Sequence, residues 1–178
     1  MKWDRNLLFV IMISLVIYWA RVTPHAANWS PVLGLCLFSG WVSGGKWYGF
    51  LLPLLALFMS DLSLMEDPAW MFNYVAWVGL IGVGVFMKPK FKSFLGHGLF
   101  GAMVFFLISN FGVWFFSGLY SQDFQGLMTC FTLAVPFFRT TLMSALATMM
   151  GLFVFVEGYE YLMNSGLLGK VKLEKIKS

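Results

Sequence analysis

Charge is what this sequence has least of. Only 11% of its 178 residues are Asp, Glu, Lys or Arg, against about 25% in an ordinary soluble domain. Hydrophobic residues make up 60%, more than one soluble core of this size can hide, because small domains keep much of their surface exposed. Lipid must cover the rest. Cysteine is also scarce: Cys36 and Cys130 fit no metal-ligand spacing and no disulfide framework, and read as small apolar helix residues. There are two histidines, with no bis-histidine pattern for haem, and His97 between two glycines reads as structural. Ser/His/Asp order, HExxH, a Walker lysine-serine and a Gly-rich nucleotide loop are all missing. These absences exclude the common enzyme classes, imply no cofactor, and leave the chain no evident energy source of its own. The net charge of +4 does not point to nucleic acid either, since the basic residues stand in short clusters between apolar runs.

Apolar runs are what is there. A helix needs about 20 apolar residues to cross the roughly 30 Å hydrocarbon core. The runs predict one all-α transmembrane domain over residues 1–178, a bundle of about six helices near 6–22, 31–43, 47–60, 70–87, 94–117 and 131–161, with a basic tail at 170–178. The runs are too long and too continuously apolar for a β-barrel. The first run follows Lys2 and Arg5 like a signal peptide, but Arg21-Val22-Thr23-Pro24 after it is no cleavage site, so an uncleaved helix is expected. The 31–43 and 47–60 runs are short for full spans, which makes a tilted, thinning or re-entrant hairpin the weak point of the count. The stretch Gly118–Thr129 is too polar and short to cross.

Lysine and arginine set the orientation. With the N-terminus in the cytoplasm, Lys2, Arg5, Lys46, Lys88, Lys90, Lys92, Lys170, Lys172, Lys175 and Lys177 fall inside, ten of twelve basic residues. Asp61, Glu66, Asp67 and Asp123 fall outside. Both termini are therefore expected in the cytoplasm, in a multi-pass protein of a bacterial inner membrane.

That topology gathers the unusual polar residues on the outer side. Arg21, His25 and Asn28 belong to the first outer turn, Ser60 and Asp61 to the third helix end, and Ser109 and Asn110 to the fifth helix. Arg139 is expected some two turns inside the sixth helix, a costly depth of about 2.5–3.5 kcal/mol for an unpartnered cation. Two readings follow. The cluster is a shared outer cavity, or it is an internal brace built on an Arg139–Asp61 ion pair. Aromatics crowd the same side, among them Trp114 and Tyr120, as belt, packing or pocket-wall residues.

Four ordered motifs carry a resemblance. Arg21-x-x-Pro24-His25-x-x-Asn28, Ser60-Asp61, Ser109-Asn110-Phe111-Gly112-Val113-Trp114 and Pro136-Phe137-Phe138-Arg139-x-Thr141 resemble an uncharacterised family of small bacterial six-helix inner-membrane proteins. In architecture that family resembles the S components of energy-coupling-factor vitamin transporters. The resemblance implies an outward cavity for a small vitamin or micronutrient, an anionic one included, with an ATP-driven transporter module as partner on the cytoplasmic side. It implies ligand contacts at Arg21, His25, Asn28, Asp61, Asn110, Trp114, Tyr120, Arg139 and Thr141, with Arg139 offering its guanidinium fork to an anion. The alternative is a structural or assembly subunit of a larger membrane complex. Ser144-Ala145 stand where family members often have Gly-Asp, and the first helix is bulky throughout.

Overall fold

The computed structural model describes residues 5–24, 29–64 and 70–165. Among them are six helices and no strand: α1 (Arg5–Val22), α2 (Val32–Ser43), α3 (Trp47–Leu64), α4 (Trp70–Gly84), α5 (Phe91–Phe116) and α6 (Phe124–Asn164). Continuous apolar sequence has few other options, because a backbone in hydrocarbon must satisfy its own amides and carbonyls. Helices α1, α3, α5 and α6 are long and apolar enough to cross a membrane. This is a helical membrane protein. At 12 and 15 residues, α2 and α4 reach only about 18 and 22 Å.

The expected boundaries shift in three places. The third helix continues through Asp61 to Leu64, so of the short hairpin only α2 is short. The fourth stops at Gly84, where the amides of Val85, Phe86 and Met87 turn back onto carbonyls three residues earlier, a tight closing turn of 3₁₀ type. The sixth begins at Phe124, seven residues before the expected start, because Asp123 caps it: its carboxylate accepts from the Gly126 amide at 2.7 Å and from the Ser121 hydroxyl at 2.9 Å. The polar stretch hid a cap.

The short α2 is the hub. It touches all five other helices, and Val32 to Gly40 of it are buried without interruption. Around it α1 meets α3, α3 meets α4, α4 meets α5 and α5 meets α6, while α6 and α1 make no backbone approach. The ring has one seam. Helices α2 and α4 run parallel and nearly touch, since a Cβ on Gly40 would stand 1.9 Å from the Ile81 carbonyl oxygen and one on Gly84 1.9 Å from that of Leu37. Small residues let membrane helices approach this closely.

The bundle has two ends. The lower one carries Gly44-Gly45-Lys46 and Lys88–Lys92, the upper one Arg21, Asp61 and Asp123. Leu33 and Leu37 of α2 pack at Gly101 of α5, so about 22 Å of α5, from Gly101 to Phe116, rises above that level. The upper half of the bundle thus lacks a central helix. The Ser144 hydroxyl of α6 donates to the Ser30 carbonyl at 2.6 Å.

Candidate functional site

The upper-end polar residues form two groups rather than one. The first joins α1, α3 and α4. Arg21 Nη2 donates to Asp61 Oδ1 in an ion pair, Arg21 Nε donates to Ser60 Oγ at 3.1 Å, and the Tyr74 hydroxyl donates to Asp61 Oδ2 at 2.7 Å. Ser60 in turn donates to the Leu57 carbonyl at 2.6 Å and is fully buried. Both carboxylate oxygens of Asp61 are therefore engaged. A carboxylate at a helix end in apolar surroundings is held by such charge-assisted bonds, and they tie together three helix ends.

The expected Arg139–Asp61 ion pair is not formed. Helices α3 and α6 make no backbone contact, whereas α1 packs against α3, and its Arg21 takes the acid. Arg139 is exposed, on a face of α6 shared with Val135, at 49% exposure, and Met143, at 60%. Among the described residues nothing accepts a hydrogen bond from it. Its depth also differs from the expectation, because α6 is 41 residues long, about 61 Å and twice the hydrocarbon thickness. Counting 18 residues up from Glu157 puts Arg139 about 27 Å away, close to the far interface, where arginine extends to water and phosphate.

The second group lines a groove of about 290 Å³ between α4, α5 and α6. Its polar edges are Asn73, Ser109, Asn110 and Thr141, and its walls include Phe105 and Phe137. Ser109 and Asn110 each donate to the carbonyl four residues back, at 2.7 and 2.8 Å, and Thr141 to Phe137 at 3.1 Å. This back-bonding uses the two hydroxyls and one Asn110 N–H locally, and the Asn110 side-chain oxygen accepts no hydrogen bond among the described residues. The Asn73 amide makes no hydrogen bond among the described residues, so it brings both a donor and an acceptor. Among the described residues no charged side chain lines the groove. Phe106 and Phe138, with centroids 4.8 Å apart and planes tilted by 47°, form part of its wall.

The remaining expected residues lie elsewhere. Trp114 Nε1 donates to the Ser121 carbonyl at 2.9 Å, and Gln122 donates back to the Trp114 carbonyl at 2.7 Å, so Trp114 fastens the α5–α6 connection. Tyr120 is part of that connection, half-buried. His25 and Asn28 lie outside the described residues. Of the nine expected ligand residues, Asn110 and Thr141 meet in the groove and Arg21 and Asp61 meet in the brace. Asn73 was missed, although an amide in the otherwise apolar run Trp70–Gly84 was the available signal.

A family model described as "Family of unknown function (DUF6580)" matches residues 1–165. The chain belongs to that family. No curated protein and no solved structure matches the chain. The family match covers every helix up to and including α6, so both polar groups lie inside it.

Proposed function

We propose that this is a multi-pass protein of a bacterial inner membrane that binds a small solute for uptake, in the manner of an S component, and that the groove between α4, α5 and α6 is its binding site. One observation carries the reading: Asn73 has an unbonded amide in a groove that otherwise presents aromatic walls. The Asn73 amide is half-exposed and opens onto the groove, so its donor and acceptor are available to a ligand, and pockets of this composition suit small molecules. The absence of charge in the groove favours an uncharged, flat ligand with neighbouring donor and acceptor atoms over an anionic one. Arg139, on the far side of α6, has no part in it. In this reading the protein is a binder and not an enzyme, and a separate ATP-driven module on the lysine-rich side supplies the energy.

The test is thermal unfolding of the purified protein with nicotinamide, pyridoxine and riboflavin as probes. A ligand bound only by the folded state raises stability by about 2.7 kcal/mol at 100 times its Kd. At least one probe should raise the melting temperature in the parent and in Arg139→Ala, and fail to do so in Asn73→Ala and Asn110→Ala. A shift that survives both asparagine changes would overturn the site.

A second reading rests on the other group. The Arg21–Asp61–Tyr74 network is a brace, as a structural subunit of a larger complex would need at a helix end. Brace and groove occupy different helix interfaces, so one chain can hold both.

A further inference from the structure

We infer that the seam between α1 and α6 binds a zwitterionic phospholipid, with a phosphoethanolamine headgroup, from the leaflet at the lysine-rich end. It stands apart from the groove proposed above, at the opposite end of the bundle, with only α6 in common.

Among the described residues the seam is the one break in the ring around α2. At the upper end it is bridged by the Ser144–Ser30 hydrogen bond. Lower down Phe9 of α1 meets Tyr159 of α6 edge to face, with centroids 6.0 Å apart. Beneath that ring pair lies a crevice lined by Arg5, Phe9, Trp41, Phe155, Tyr159 and Glu160 among others, reaching in to the buried Phe38 and Val156. The void is small, about 60 Å³, the room of roughly two waters. It therefore takes part of an acyl chain and leaves a headgroup at the mouth.

Among the described residues the mouth carries one charge of each sign. Arg5 opens α1 and Glu160 lies near the end of α6, both exposed. They line one crevice, yet the ion pair among the described residues is Arg21–Asp61 and not this one. Two opposite charges that face one opening without pairing present a complement to a ligand with both signs. Guanidinium holds phosphate through its planar fork, and a carboxylate accepts from a primary ammonium. A phosphoethanolamine headgroup supplies both. A phosphoglycerol headgroup has only the anion and meets Glu160 as a like charge. The aromatic lining beneath suits an acyl chain, and Trp41 and Tyr159 are residues that favour the headgroup boundary.

The experiment is native mass spectrometry of the delipidated full chain, titrated in detergent with dioleoyl phosphoethanolamine and, separately, dioleoyl phosphoglycerol. We expect one phosphoethanolamine lipid to be retained at least five-fold more tightly than phosphoglycerol. Arg5→Gln and Glu160→Gln should each abolish that preference, and Glu160→Gln should improve phosphoglycerol binding. Melting temperatures of both variants, whose side chains are exposed, check that folding is intact. Equal retention of the two lipids by the parent, or a preference unchanged in both variants, would overturn the proposal. Neither result bears on the asparagine-lined groove, which is read by soluble probes.

Discussion

Asp61 shows how one residue's partner changes what its removal does. With Arg21 and Tyr74 both donating to it, Asp61→Ala leaves the guanidinium without its counter-charge, a loss of about 3–5 kcal/mol for a pair shielded from water. Arg21→Ala with Asp61→Ala should recover part of that loss, and Tyr74→Phe should cost about 1.5–3 kcal/mol for one bond to a charged acceptor. Reversible unfolding in lipid or mild detergent reads all three. Arg139→Ala should change stability by no more than about 0.5 kcal/mol, as expected of an exposed side chain without a partner. An Arg139→Ala protein as unstable as Asp61→Ala would contradict the pairing described above. Arg21, Asp61, Asn110 and Thr141 were legible in the sequence as odd residues in apolar surroundings. Which of them meet was not, because pairing depends on which helices are neighbours.

At the scale of the element, two features decide length and spacing. The Gly126 amide and the Ser121 hydroxyl, in that order, hold the Asp123 carboxyl below the usual carboxylate range. A depressed pKa means the cap acts fully at neutral pH and is lost as pH falls through that lowered value, since the protonated acid is the weaker acceptor. Corrected for its intrinsic rate, hydrogen exchange at Gly126 should therefore lose protection on acidification in the parent. In Asp123→Asn, which keeps a neutral acceptor, exchange corrected for intrinsic rate should be flat over the same range. The α2–α4 crossing is the second feature. Gly40→Ala would drive a methyl into the Ile81 carbonyl, and the helices must part, at a cost of about 1–3 kcal/mol or more from overpacking. Gly79→Ala, where a Cβ meets nothing within 4 Å, is the control and should cost almost nothing. The apolar runs predicted every helix, because runs of that length in lipid have no alternative. Their ends were missed where a cap or a closing turn, not hydropathy, set them.

For the whole molecule, the distribution of lysine predicts orientation. A reporter after Lys92 should read cytoplasm and one inserted near Asp67 or Asp123 the exterior, because moving the basic clusters across the membrane is disfavoured. A reporter after Lys92 that reads exterior would invert the bundle and exchange the two leaflets for the seam and the groove. By itself the sequence determined that the chain is a helical membrane protein, roughly where its six helices lie, and which polar residues are out of place. Those follow from local composition, since a helix in lipid bonds within itself and needs nothing distant. Only the tertiary structure decided that α2 is the central helix, that Asp61 answers to Arg21 and not Arg139, that Asn73 joins Asn110, and that the ring stays open between α1 and α6. Each of these depends on helix adjacency and on the rotation of each helix about its axis. Close packing at Gly40, Gly84 and Gly101 sets both, and no stretch of sequence carries that information alone.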